Sequence, residues 1–196
     1  MNKDEVLKHF EQTGAILKGH FKLSSGMHSE TYMQCARLLS YPDVAAKLCS
    51  ELAKKIKTMI PAKIDMVVAP AMGGVVVGYE VARQLGVQGI FCERVEGTFE
   101  LRRGFEIPQG ANVIIVEDVV TTAKSSFETV ECIKRYGGNV VGEACLVDRS
   151  SGKHNLPFPL AALIELDIPT YAPDNLPEHL KNVEAVKPGS RFLKSA

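Results

Sequence analysis

Residues 112–125 read NVIIVEDVVTTAKS: a β-branched apolar run, two adjacent carboxylates, a turn of small hydroxyl-bearing residues, and the opening of a helix. An apolar run this short, closed by turn residues, predicts a buried strand over Asn112–Val116. The turn falls at Glu117–Ala123, and a helix follows over Lys124–Tyr136. Gly137 ends it, because glycine tolerates the left-handed conformation that closes a helix. The same unit recurs outward in both directions. Further β-branched runs lie at Ile64–Ala69, Gly89–Cys92, Val140–Val147 and Ala161–Leu166. After Pro42, the residues Val44, Leu48, Leu52, Ile56 and Met59 fall at helical spacing until Pro61 stops them. Another helix is expected from about Val76 to Leu85, ending at Gly86. Strands alternating with helices predict an α/β fold whose mainly parallel central sheet is flanked by helices.

The remainder is organised around that core. The amino terminus, MNKDEVLKHFEQTG, reads as an amphipathic helix, and GHFKLSSGMHSETY (residues 19–32) as a turn or short hairpin. Residues 94–110, RVEGTFELRRGFEIPQG, combine glycines, charges and a proline, as a projecting hairpin or mobile loop does. Beyond Asp148 the chain is punctuated by prolines and is expected to wrap the core. The expected organisation is one domain over residues 1–196: an N-terminal hood at 1–40, an α/β core at 41–186, and a mobile loop at 94–110.

Composition narrows the function. The 196 residues are 45% hydrophobic, and 23 basic residues balance 23 acidic ones. A chain with no net charge has no global field drawing it to nucleic acid or to an anionic membrane, so any anion site must be local. Five scattered cysteines without a CxxC pair suit a reducing compartment better than a disulfide framework or a zinc site. The amino terminus lacks the apolar core of a signal peptide, and no apolar run approaches the roughly 20 residues of a membrane span. A cytoplasmic enzyme is the expectation.

In open α/β sheets ligands bind beyond the carboxyl ends of the strands, which directs attention to the turns at Pro70–Gly74 and Glu117–Ala123. Unpaired N–H groups at a helix start bind phosphate, Thr121, Thr122 and Ser125 add hydroxyl donors, and small Ala123 lets an anion approach the backbone. A Walker A loop is excluded, because its two glycine positions hold Asp118 and Ala123 ahead of Lys124 and Ser125. A phosphate cradle beside two acids suits a ribose 5-phosphate. Ionised Glu117 and Asp118 would accept hydrogen bonds from its vicinal hydroxyls and favour positive charge developing on the ring. Acidic residues also stabilise helix starts for purely structural reasons, and from these residues alone the two readings carry equal weight.

The stretch VIIVEDVVTTAKS resembles the phosphoribosyl pyrophosphate motif of the type I phosphoribosyltransferases. The resemblance implies that Glu117 and Asp118 hold the ribose hydroxyls and that the loop from Val119 and Val120 through Thr121, Thr122, Ala123 and Lys124 to Ser125 holds the 5-phosphate. Ala123 departs from it, standing where glycine is usual; a positive φ there would cost alanine about 1 kcal/mol. The segments GHFKLSSGMHSETY, PAMGG, ERVEGTFELRRGF and LVDRS are similar to the orotate branch of that family. They imply that Arg149 pairs with the orotate carboxylate, that Thr121 also contacts the base, and that the Leu23–His28 segment, with Ser25 and Gly26, lines its other side. Gly73 and Gly74 would lie beside the departing pyrophosphate, although on its own PAMGG is only a strand-to-helix turn. Arg94, Arg102 and Arg103 would supply its positive charge, with Arg102 and Arg103 in the catalytic role beside Asp118; a solvated charged hairpin is the competing reading.

Relatives carry lysines where this chain has Ser24, in the PAMGG turn near Met72 or Gly73, and within the stretch aligned with Val95–Glu100, so their roles do not transfer. His28 stays outside the catalytic set. The resemblance further implies a homodimer and Mg2+ carried mainly by the substrate, without a dedicated protein metal site. A purine phosphoribosyltransferase, for xanthine or adenine, is the nearest alternative; a non-catalytic phosphoribosyl pyrophosphate sensor is the alternative of another class.

Overall fold

The computed structural model describes residues 1–23 and 25–187; Ser24 lies outside them. Its centre is a six-stranded sheet of β3 (Met66–Pro70), β4 (Gln88–Val95), β5 (Thr98–Leu101), β6 (Asn112–Val120), β7 (Asn139–Asp148) and β8 (Leu160–Glu165), in the order β5-β4-β3-β6-β7-β8. Every pairing is parallel except that of β5, which folds back on β4. The expected mainly parallel sheet is therefore present.

Helices cover both faces. On one side lie α1 (Lys3–Gln12), α2 (Cys35–Leu39), α3 (Pro42–Met59) and α4 (Gly73–Leu85); α5 (Lys124–Arg135) lies on the other. The strand period of two sorts the side chains. Ile114 and Val116 of β6 pack with Leu48, Leu52 and Val77, whereas Val113 and Ile115 pack with Val130 and Ile133 of α5. The helices end where glycine allows: Gly86 (φ 72°) closes α4 and Gly137 (φ 83°) follows α5. At the amino terminus, Asn2 and Glu5 cap α1 reciprocally, at 2.9 and 2.8 Å.

Of the boundaries that differ from expectation, two move toward the site. β6 does not stop at Val116 but continues to Val120, paired with β7 as far as Val120↔Asp148. Glu117 and Asp118 are thus strand residues and not members of a turn, because β7 extends far enough to keep pairing them. Helix α4 starts at Gly73, three residues before Val76, since its first turn is laid directly over the end of β6.

The segment at 94–110 is anchored. Phe99, Leu101 and Ile107 are buried with Ile115 and Ile133, while residues 94–98, 102–104, 106 and 108–110 are exposed. The hairpin of β1 (Ile16–Lys22) and β2 (His28–Met33) stands apart from the large sheet. The C-terminal stretch returns to this hairpin, not to the sheet. Tyr171 and His28 exchange two 2.8 Å backbone bonds, and Val186 bonds His20 and Lys22 at 2.8 and 2.9 Å. A short helix, α6 (Glu178–Lys181), lies between these contacts.

Candidate active site

The carboxyl ends of β3, β6 and β7 gather the chemistry. Asp118 accepts the Val119 N–H at 2.9 Å on Oδ1, while Glu117 Oε1 accepts the Asp118 N–H at 3.3 Å. Burial pushes both carboxyls above the usual range, and the Asp118 charge pushes Glu117 further. Asp118 is the better stabilised anion, because the Glu117 side chain first and then the Val119 and Asp118 N–H groups oppose the rise that burial causes.

Gly73 explains itself here. A Cβ at Gly73 would stand 2.7 Å from Asp118 Oδ1, so glycine is what lets α4 start against that carboxylate. Gly74 has a different neighbour, since its Cβ would meet the Val116 carbonyl oxygen at 2.7 Å and Pro70 Cδ at 3.1 Å. Its missing side chain serves helix-on-sheet packing. The peptide between Ala71 and Met72, in the turn before these glycines, is cis.

After Val120 the chain leaves the sheet and turns into α5. Thr121 and Thr122 are exposed, and neither hydroxyl is engaged by another described residue. Ala123 takes φ 56° and ψ 18°, the left-handed conformation that glycine adopts without strain. Its methyl is buried beside Val120, Cys145 and Ala162. No side chain caps α5, which leaves its first N–H groups as donors beside the two free threonines. Lys124 is exposed and reaches only Glu128, at 4.0 Å; Ser125 is half-buried, and its carbonyl accepts Thr129 Oγ1 at 2.8 Å. Val119 and Val120 contribute packing and ladder pairing.

Arg149 follows β7 and is placed beside this loop, with its N–H bonded to the Val120 carbonyl at 2.8 Å. Its Nε is buried without a hydrogen-bond partner among the described residues, and burial works against its charge. An unpartnered buried guanidinium nitrogen is costly, so the position calls for an anion.

A family model for the phosphoribosyl transferase domain matches residues 40–160. The chain is 52% identical over 194 residues to the orotate phosphoribosyltransferase of Sphingopyxis alaskensis, covering 98% of this chain and 99% of that one. It is 51% identical to orotate phosphoribosyltransferase 2 of Mesorhizobium japonicum, covering 98% and 100%. This chain belongs to the orotate phosphoribosyltransferase family. The solved orotate phosphoribosyltransferase of Aeropyrum pernix superimposes with a TM-score of 0.68 at 26% identity, covering 82% of this chain and 93% of that one.

In this orotate phosphoribosyltransferase family member the three candidate arginines of the 94–103 region differ sharply. Arg94 is committed: it pairs with Glu128 of α5, bonds the Gly97 carbonyl at 2.8 Å, and lies 4.2 Å from the centre of the Phe99 ring. Arg103, at φ 60°, pairs with Glu93 at 2.6 Å and stacks toward Phe91. The exposed Arg102 side chain makes no hydrogen bond or ion pair among the described residues, although after Arg103 its charge also helps to lower the Glu93 carboxyl.

At the hairpin turn, Gly26 takes φ 85° and donates to Leu23 at 3.0 Å, while Ser25 Oγ accepts the Met27 N–H at 3.4 Å. His28 is buried and joined to His20 by a 2.6 Å bond between ring nitrogens. Because a carbonyl only accepts, the other His20 nitrogen must donate its proton to Val183, at 2.6 Å. This pair ties the hairpin to the C-terminal stretch.

Two neighbours of the site escaped sequence reasoning. The half-buried Tyr32 hydroxyl feels Asp118 and Arg149 in opposite senses, and the buried Cys35 thiol is pushed well up by burial and then by Asp118. Only the β1–β2 fold-back brings them there, so no local motif announces them. Two concavities, of about 430 Å³ between α3 and β8 and about 300 Å³ between α1 and residues 166–169, touch none of the candidate residues. Shape does not select the site; its chemistry does.

Proposed function

We propose that this chain transfers the ribose 5-phosphate group of phosphoribosyl pyrophosphate to orotate, giving orotidine 5'-monophosphate and pyrophosphate in pyrimidine biosynthesis. The observation that carries this reading is the buried Arg149 Nε, unpartnered among the described residues, just past the end of β7, the strand paired with the acid pair. It puts an anion receptor for the base within reach of a sugar-phosphate site. The family's orotate activity and this geometry agree.

The 5-phosphate sits on the backbone donors and hydroxyls of Thr121–Ser125. Asp118, with Glu117 beside it, accepts the ribose hydroxyls and favours positive charge on the ring as C1 parts from pyrophosphate. Orotate N1 forms the new bond to C1 and gives up its proton to solvent, while the electron pair of the broken C1–O bond leaves on pyrophosphate. Orotate's standing charge is on its carboxylate, which orients the base, so positioning and electrostatics supply most of the rate. Arg149 holds the carboxylate as a planar fork, with Thr121, Ser25 and Gly26 bounding the base. Arg102, whose side chain makes no hydrogen bond or ion pair among the described residues, is favoured over Arg103 and Arg94 for the pyrophosphate, near Gly73.

Two adjacent carboxyls, both raised by burial and Glu117 further by the Asp118 charge, fit a site that a substrate-borne Mg2+ approaches. The ion, carried mainly by the substrate, would neutralise the leaving pyrophosphate, with Asp118 and Glu117 as the residues that would help to hold it. We also infer a cytoplasmic homodimer acting on small molecules and not on nucleic acid or membrane. The even charge balance supports this, as do five free cysteines and the lack of a membrane-length apolar helix among the described residues.

The test is an ultraviolet assay with magnesium and phosphoribosyl pyrophosphate, offering orotate, adenine, hypoxanthine and xanthine in parallel. Orotate consumption alone is expected. Purine consumption would overturn the Arg149 assignment, and donor binding without any turnover would replace the enzyme by a sensor.

A further inference from the structure

Glu143 is the largest unexplained feature of the interior. It lies in the middle of β7, opposite Ile115 of β6 and Leu160 of β8, and is 0% exposed. Its Oε1 accepts the Ser126 hydroxyl at 2.8 Å, and its Oε2 is buried without a partner among the described residues. A carboxyl in such a place is costly where an apolar side chain would pack well, which calls for a reason beyond packing.

The reason is what Ser126 belongs to. It lies in the first turn of α5, directly after the phosphate loop, and is itself 2% exposed. Among the described residues, its bond to Glu143 is the sole side-chain hydrogen bond from that turn to the sheet. On the other side the loop is fixed by the Val120↔Asp148 pairing. Between these two anchors Ala123 is held in a left-handed conformation that alanine resists, and such strain persists only where the surroundings over-determine it.

We propose that Glu143 is a positioning residue for the sugar phosphate: through Ser126 it holds the first turn of α5, and with it the phosphate loop, in the strained binding conformation. This inference deepens the functional reading above and rests on its phosphate loop, not on its base. The groups facing Glu143 agree with neutrality. Glu117 approaches from β6 and Asp148 and Cys145 from its own strand; Ser126 comes from α5, while Leu160 and Pro159 at β8 bring no charge. Burial, with Asp148 adding to it, lifts its carboxyl to about 7, so the neutral form gives way around that pH to a negative charge behind a phosphate site.

The experiment is calorimetric titration with ribose 5-phosphate from pH 6 to 9, repeated at pH 7 in buffers of different ionisation enthalpy to count protons. Glu143→Leu and Ser126→Ala are expected to bind about ten-fold more weakly, equivalent to ~1.4 kcal/mol, without a lower melting temperature for Glu143→Leu. Glu143→Gln retains the bond from Ser126; it should restore the affinity and lose the part of the alkaline weakening and proton uptake that the native protein shows. Native affinity in both Glu143→Leu and Ser126→Ala, or identical pH and proton profiles for native and Glu143→Gln proteins, would overturn the proposal. Orotate turnover of the native protein, run alongside, separates this result from the base assignment: ribose 5-phosphate binding tests Glu143 whichever base is used.

Discussion

Replacing Gly73 by alanine probes the Asp118 carboxylate with a single methyl group. The added Cβ would lie 2.7 Å from Asp118 Oδ1, 3.0 Å from Cγ and 3.1 Å from Oδ2. Ordinary contact needs about 3.4 Å, so the carboxylate must retreat by roughly 0.7 Å or the start of α4 must lift by as much. Retreat strains the 2.9 Å bond from the Val119 N–H, worth about 1 to 2 kcal/mol. Against that, alanine favours a helix over glycine by up to ~1 kcal/mol, and Gly73 has no positive φ to forbid a side chain. Stability is therefore expected to change by no more than about 1 kcal/mol. Turnover is not so protected, because a displacement near 1 Å of a group that orients the sugar costs up to about 100-fold. Steady-state orotidylate formation, with KM and kcat separated, and a thermal melt together read both effects. Gly74→Ala supplies the contrast: its Cβ meets the Val116 carbonyl oxygen at 2.7 Å, backbone that cannot step aside, and stability should fall by about 1 to 3 kcal/mol. Native kcat/KM in a folded Gly73→Ala enzyme would refute the claim that Asp118 must stay where β6 and α4 hold it.

Ala123→Gly should be nearly neutral in urea unfolding, within ~1 kcal/mol. Relief of about 1 to 2 kcal/mol of left-handed strain offsets a lost buried methyl of about 0.8 kcal/mol and the greater freedom of unfolded glycine. A loss above about 2 kcal/mol would contradict the positive φ. Glu143 adds a pH dependence of stability. Its folded value is raised from 4.5 to about 7, so its favourable contribution is complete below 4.5 and is lost as pH climbs through 7, by roughly 3 kcal/mol. Glu143→Gln should flatten that decline and be more stable than native at pH 8; parallel stability curves would rule it out. Arg149→Met is expected to raise the orotate KM by about 100-fold while keeping ribose 5-phosphate binding and the melting temperature, and an unchanged orotate KM would remove Arg149 from the base site. Arg102→Ala should lower kcat by more than Arg103→Ala, since Glu93 already occupies Arg103; the reverse order would restore Arg103 to the pyrophosphate.

Sequence alone determined the parts of this protein whose signals are local. The β-branched runs, the helical spacing after Pro42 and the glycines at 86 and 137 lie within a few residues of what they specify. They predicted the parallel sheet and its helices with small boundary errors. The acid pair and the loop at 117–125 were legible for the same reason, as neighbours in the chain. What lay beyond reach depends on contacts between distant segments. That Glu117 and Asp118 belong to a strand follows from the length of β7 beside them, and that Gly73 must lack a side chain follows from where α4 crosses β6. The engagement of Arg94 and Arg103, which leaves Arg102 without an ion pair among the described residues, hangs on Glu128 of α5 and Glu93 of β4. Glu143 read as one polar residue inside a strand until folding set it against Ser126, 17 positions earlier. Periodicity reports which face a residue occupies; only the tertiary structure decides which partner waits on that face, because burial removes water and leaves each polar group dependent on whatever the fold brings to it.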